Sequence, residues 1–211
     1  MCNSELATNL GFTCDKVPVG THMCLIFSSD QERRDCLLKY LLSGLQENER
    51  GACFSNNISE NEIRQFLLEN NISYDERKES DQISVSGTNE VYFANGAFDP
   101  DRMLETLKGF YLKTKKMTFS AARVIGEMAP EVQNVPGGDR LLEYESRVTL
   151  LVREFPVTSI CLYDARTFNG ATILEVLKVH PKMIVNGAVI TNPFFIKPED
   201  YLKSSSGGTN E

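Results

Sequence analysis

The chain has little with which to grip a nucleic acid, cross a membrane or hold a metal by any spacing visible in sequence. Lys and Arg total 22 against 29 Asp and Glu in 211 residues, a formal net charge of −7. Nucleic-acid affinity rests largely on neutralising phosphates with basic side chains, so this balance argues against such a surface. The most basic stretch, residues 113–116, is short and suits the solvated end of a helix. No apolar run approaches membrane-spanning length, and MCNSELATNL lacks the basic segment and apolar core of a secretory leader. The six cysteines (Cys2, Cys14, Cys24, Cys36, Cys53 and Cys161) form no CxxC pair, and no histidine stands at zinc-ligand spacing from them. The expectation is reduced thiols in a cytoplasmic protein with no metal and no cofactor. Only two histidines are present, His22 and His180, and no GxSxG elbow supplies a serine nucleophile, so both are expected to be structural.

A hydrophobic content of 41% and a charged content of 24% fit one soluble α/β domain with a sizeable core. Residues 1–18 read as a loosely ordered lead-in, 19–203 as the domain and 204–211 as a flexible tail. Strands are expected at 22–27, 51–55, 82–86, 91–94, 119–128, 159–164 and 183–190. Helices are expected at 31–47, 59–68, 100–115, 139–155 and 171–179. This alternation implies a mainly parallel sheet with helices on its faces. The opening HMCLIF, then SSDQERRD, then a Leu-striped helix and GACFS has the order of a nucleotide-binding βαβ unit. The turn, however, has no glycine and no lysine and adds three carboxylates, where a phosphate loop needs backbone N–H groups and a lysine.

Three polar placements go further. Glu145 lies inside the apolar arc of the helix at 139–155, where a carboxylate must be paired, hydrogen-bonded or protonated. Period two puts Arg123, Ile125 and Glu127 on one sheet face, which makes Arg123 the expected ion-pair partner of Glu145. Glu127 and Asp164 end their strands, and Ser28, Ser29, Ser55, Asn56 and Asn57 sit at the ends of two others. Carboxyl ends of parallel strands line the ligand crevice of open α/β sheets, so these residues mark the expected site. Two carboxylates there imply a raised pKa for one of them, unless a cation or Arg lies between. His22 begins its strand and belongs at the opposite edge. His180, in the last turn of its helix, is placed to bond the terminal carbonyls.

GTHMCLIF with SSDQERRDCLLKYLLSGLQENER, ARVIGEM, LLEYESRV, SICLYDAR, LKVHPKMIVNG and TNPFFIKPEDYL occur in order from Val19 to Leu202. Together they resemble the MEDS domain, the methanogen/methylotroph DcmR-type sensory domain. The resemblance implies a three-layer RecA/KaiC-like fold derived from a P-loop ancestor. It also implies sensing of simple hydrocarbon derivatives in prokaryotic signal transduction or transcription regulation. It maps onto His22, Glu32, Arg123, Glu127, Glu145, Tyr163, Asp164, His180 and Asn192. The chain departs from the family where Glu127-Met128 runs into Ala129-Pro130 rather than a tryptophan-containing turn, tryptophan being absent. The ligand-binding set is then Ser28, Ser29, Glu32, Ser55, Asn56, Glu127, Tyr163 and Asp164. Output would pass through a separate signalling protein, a homodimer is allowed, and no catalysis is expected. The rival readings are a RecA-like ATPase with an atypical site and a small-molecule hydrolase using Glu127 and Asp164.

Overall fold

The computed structural model describes residues 6–206. Cys2 and the tail beyond residue 206 lie outside the described residues. In chain order the strands are β1 (Ala7–Asn9), β2 (Lys16–Pro18), β3 (His22–Phe27), β4 (Arg50–Phe54), β5 (Ile83–Ser86), β6 (Ala122–Glu127), β7 (Val157–Asp164), β8 (Lys182–Val185) and β9 (Ala188–Thr191). The helices are α1 (Asp30–Gln46), α2 (Glu60–Glu69), α3 (Tyr74–Glu79), α4 (Thr88–Tyr92), α5 (Pro100–Lys116), α6 (Leu141–Glu154), α7 (Gly170–Val179) and α8 (Pro198–Ser206).

Seven strands form one sheet in the order β5-β4-β6-β7-β3-β8-β9, parallel except for the last pair. Alternation sorts its side chains into two cores. Met23, Leu25, Phe27, Ile125, Ile160 and Leu162 pack under the leucines of α1 and under Ile63 and Leu67 of α2. Cys24, Val124 and Tyr163 face the other way, onto Met103 and Leu107 of α5, Tyr144 and Val148 of α6, and Val176 of α7. The result is three layers, as the alternation of elements requires.

Several boundaries follow from side-chain caps. Ser59 and Glu62 close a reciprocal capping box on α2, and Asp99 accepts from two backbone amides ahead of Pro100 at the start of α5. Residues 113–116 do end a helix, with Lys113, Lys115 and Lys116 in the last turn of α5.

The structure fills in or corrects four expectations. Within the lead-in, β1 and β2 pair as an antiparallel ribbon, with Thr8 fully buried. The presumed strand at 91–94 spans the end of α4 and the start of a 3-10 turn (Ala94–Gly96), and α4 itself starts where the Asn56 side chain accepts from the Thr88 amide. The presumed last strand is a hairpin, because Asn186 and Gly187 both take positive φ, the backbone of a tight two-residue turn. Of the tail, residues 204–206 belong to α8. Helices α3 and α8 have no counterpart in the sequence reading.

Candidate functional site

Two polar assemblies stand out, one open and one closed. The open one is a cleft of about 430 Å³ at the carboxyl edge of the sheet, lined by Asp30, Arg33, Asn56, Asn57, Thr88, Glu127, Asp164 and Arg166, with residues 128–131 along its rim. Because β6 and β7 lie side by side, Glu127 and Asp164 reach this edge from adjacent strands. Glu127 is 6% exposed and accepts from Ser55 Oγ at 2.6 Å and Asn57 Nδ2 at 2.7 Å. Arg33 reaches in from the first turns of α1, its Nη1 3.6 Å from Glu127 Oε2 and its Nη2 donating to the Asn57 carbonyl at 3.1 Å. Arg33 Nη1 is buried and makes no hydrogen bond. Asp164 accepts from Arg166 Nε, Nη2 and backbone N at 2.7–2.9 Å, and Arg166 Nη2 also reaches Asp30 at 2.6 Å. Hydrogen bonding to Arg166, opposed by partial burial, holds the Asp164 carboxyl below the usual carboxylate range. Each carboxylate has its own arginine, Arg33 beside Glu127 and Arg166 beside Asp164.

Of the expected ligand set, Asn56, Glu127 and Asp164 line the cleft, and Ser55 supports Glu127 from behind. Ser28 is exposed on the turn and does not line it. Ser29 caps α1 by accepting from the Glu32 amide. Glu32 belongs instead to a separate groove with Cys36, Lys39 and Asn186. Tyr163 points through the opposite sheet face and is fully buried. Sequence reasoning missed Arg33 and Arg166. Arg166 follows Asp164 within the same turn, whereas Arg33 is visible only once α1 is seen to start at the cleft.

The closed assembly lies between β3, β7 and α6. Glu145 has no exposed surface, as its place in the apolar arc requires, but its partner is not Arg123. Arg123 faces α1 and Glu145 comes from α6, so the sheet separates them. Glu145 Oε2 lies 3.3 Å from His22 Nε2, 3.5 Å from His180 Nε2 and 3.5 Å from Cys161 Sγ, and its Oε1 accepts from Tyr163 OH at 2.5 Å. His22 Nε2 is 3.4 Å from Cys161 Sγ, and the four ligand-type atoms all lie within 4.8 Å of one another. Burial alone would raise the Glu145 carboxyl, but the two histidines outweigh it and hold it well below its ordinary value. Burial, followed by the neighbouring His180, lowers His22 to about 4 against the pull of Glu145, and burial pushes the Cys161 thiol well up. These four residues could hold a metal ion.

His180 Nδ1 meets the Val176 carbonyl at 2.8 Å, the helix-end bond expected of it. Asn192 Nδ2 donates to the carbonyls of Leu177 and His180, at 2.6 and 2.8 Å, and so fixes the turn that carries His180. Arg123 spends all five of its N–H donors: Nε on Glu49, Nη1 on the Tyr40 carbonyl and Ser43, Nη2 on Thr8 and the Asn9 carbonyl. It therefore ties the β1–β2 ribbon to α1 and to the loop before β4.

No curated protein matches this sequence. Among solved structures, a KaiC-like protein from Pyrococcus horikoshii OT3 matches with a TM-score of 0.55 at 14% identity, over 80% of this chain and 71% of its own. The flagellar accessory protein FlaH from Methanocaldococcus jannaschii matches with a TM-score of 0.54 at 11% identity, over 82% of this chain and 76% of its own. At these identities the likeness shows the fold alone, and that fold is RecA-like. No helix among the described residues is long and apolar enough to cross a membrane. The methanogen/methylotroph, DcmR sensory domain profile matches residues 21–181, and the chain belongs to that sensory-domain family.

Proposed function

We propose that the chain senses a small polar molecule in the cleft at the carboxyl edge and passes the signal to a separate regulatory protein. The observation that carries this reading is Arg33 Nη1, a buried guanidinium donor beside Glu127 with no hydrogen-bond partner. A buried donor left unmade costs about 1–3 kcal/mol, so a site that keeps one is suited to an acceptor brought by a ligand. The charged lining favours a short hydrocarbon derivative bearing a carboxylate, carbonyl or hydroxyl over an unfunctionalised one. Arg166 donates to both oxygens of Asp164, which leaves that carboxylate engaged in positioning and supports binding over acid–base hydrolysis.

The test is a thermal-shift panel of short alcohols, amines, carboxylates and halomethanes, repeated on Glu127→Gln, Asp164→Asn and Arg33→Met. A hit should stabilise the wild type and be weakened at least about tenfold in each variant, about 1.4 kcal/mol, with the variants folded by circular dichroism. A hit that all three variants bind unchanged places the sensing site elsewhere. Turnover of any panel compound by the wild type would favour the hydrolase reading.

A further inference from the structure

In the cluster of His22, Glu145, Cys161 and His180, the outer hydrogen bonds turn both inner ring nitrogens towards one centre. The Val176 carbonyl can only accept, so His180 Nδ1 carries a proton, and the neutral ring presents a lone pair at Nε2. Thr149 Oγ1 donates to the Val179 carbonyl at 3.3 Å and lies 2.9 Å from His22 Nδ1, and with Nδ1 as donor the neutral His22 ring likewise presents its Nε2 lone pair. Both Nε2 atoms lie beside Glu145 Oε2, with the Cys161 thiol 3.5 Å from the same oxygen. A proton held on either Nε2 would pair that ring with the carboxylate, and a metal ion would take its place. His180 Nε2 is buried and makes no hydrogen bond.

A cation at the centre would be met by one ligand-type atom from each of the four residues, all within 4.8 Å of one another. Tetrahedral zinc-type bonds of about 2.0–2.3 Å imply N···O edges of about 3.3–3.4 Å and N···S edges of about 3.5–3.6 Å. Four of the six edges match, at 3.3 and 3.5 Å from Glu145 Oε2 to the two imidazoles, 3.5 Å from Glu145 Oε2 to Cys161 Sγ and 3.4 Å from His22 Nε2 to Cys161 Sγ, and the two remaining edges, from His180 to His22 and to Cys161, lie within 4.8 Å. Three ligands are already oriented from behind: His180 by Val176, His22 by Thr149 and Glu145 by Tyr163. Such outer contacts fix ring orientation and raise ligand basicity in metal sites.

We propose that His22 Nε2, His180 Nε2, Cys161 Sγ and Glu145 Oε2 form a closed four-coordinate site for a borderline divalent transition metal ion of the zinc(II) or iron(II) class. Two imidazoles, a thiolate and a carboxylate suit that class and not magnesium or calcium, which take oxygen ligands. On binding, the metal–sulfur bond forms as the Cys161 S–H bond breaks, and one proton leaves to solvent. Thiolate and carboxylate then cancel the ionic charge, so the buried complex is neutral and the desolvation cost of an isolated ion is avoided. This site lies outside the cleft and does not depend on the ligand proposed there.

Because His22, Glu145 and His180 are buried, with Cys161 partly so, the ion is best offered during refolding. Cobalt(II) is the probe: the protein is unfolded with a chelator, exchanged, and refolded anaerobically with one equivalent. The expected result is one cobalt retained through gel filtration, a thiolate-to-cobalt charge-transfer band, visible absorption of tetrahedral intensity and a raised Tm. Cys161→Ser should lose the charge-transfer band, whereas Cys2→Ser/Cys14→Ser should keep it. Thr149→Val should weaken cobalt binding by about 10–100-fold while leaving the band shape intact. If Cys161→Ser does not refold, the wild-type stoichiometry and spectrum decide alone. Wild type that refolds fully and retains neither cobalt nor zinc overturns the proposal, as does a band that survives Cys161→Ser.

Discussion

Arg123 shows how much one buried charge can organise when every donor is matched. Its ion pair with Glu49, at 2.6 Å, is almost wholly out of solvent, and Thr8 bridges the two by accepting from Arg123 and donating to Glu49. Arg123→Met should cost about 3–5 kcal/mol, because it leaves the Glu49 carboxylate buried without a counter-charge, with only the Thr8 hydroxyl still donating to it. Adding Glu49→Gln should recover part of that loss, and urea unfolding of the two variants measures the coupling. A single-variant loss below about 1 kcal/mol would mean the ribbon is held some other way. The Asp164–Arg166 pair is half open to water and is worth under about 1 kcal/mol. Since the folded Asp164 pKa is depressed, its contribution is complete above the ordinary carboxylate pKa and is lost as pH falls through the folded value. The Tm difference between wild type and Asp164→Asn should therefore shrink on acidification below the ordinary carboxylate range. A difference that widens there would reverse the assignment.

Among the elements, α1 carries both the legible and the illegible parts of the sequence. Its leucine stripe is a local feature that period 3.6 reads directly, whereas Ser29, expected in the ligand set, turns out to cap the helix. What period cannot say is which sheet face a helix covers. Period places Arg123 on a sheet face and Glu145 in an apolar arc, yet Arg123 bonds to Tyr40 and Ser43 of α1 while α6 packs on the other face, so the expected pair fails. The His22–Glu145–Cys161–His180 set was illegible for a related reason. Its members come from the start of β3, the middle of α6, the middle of β7 and the end of α7, and only the β7–β3 adjacency brings them together. Gly44, near the end of α1, gives a test in which propensity and packing disagree. Helix propensity favours Gly44→Ala by about 1 kcal/mol. A Cβ there would sit 2.4 Å from Arg123 Nε, on a guanidinium fixed by five hydrogen bonds and unable to retreat. Overpacking of this kind costs about 1–3 kcal/mol, so the net change should be destabilising. A rise in the urea midpoint of Gly44→Ala would show that Arg123 moves.

At the scale of the whole molecule, a RecA-like sheet has been kept while the turn that would face a nucleotide's phosphates has different chemistry. The β3–α1 turn stands at the carboxyl edge of a central strand, flanked by β7 and β8, the position from which a phosphate loop would work. A phosphate loop offers unsatisfied backbone N–H groups at a helix N-terminus. Here Ser29 Oγ already accepts from the Glu32 amide, and Asp30 and Glu32 supply the negative charge that the start of α1 attracts. The Asp30 carboxylate, bound to Arg166, occupies the side of the cleft a phosphate would approach. No lysine is present in the turn to reach a terminal phosphate, and Arg33 is turned towards Glu127. ATP with Mg²⁺ should accordingly give no resolvable heat in a calorimetric titration and no thermal shift at millimolar concentration. A dissociation constant in the micromolar range would sink this expectation. If Arg33→Met or Asp30→Asn altered that constant, the nucleotide would have to lie in this same cleft, and the ATPase reading would replace the sensory one.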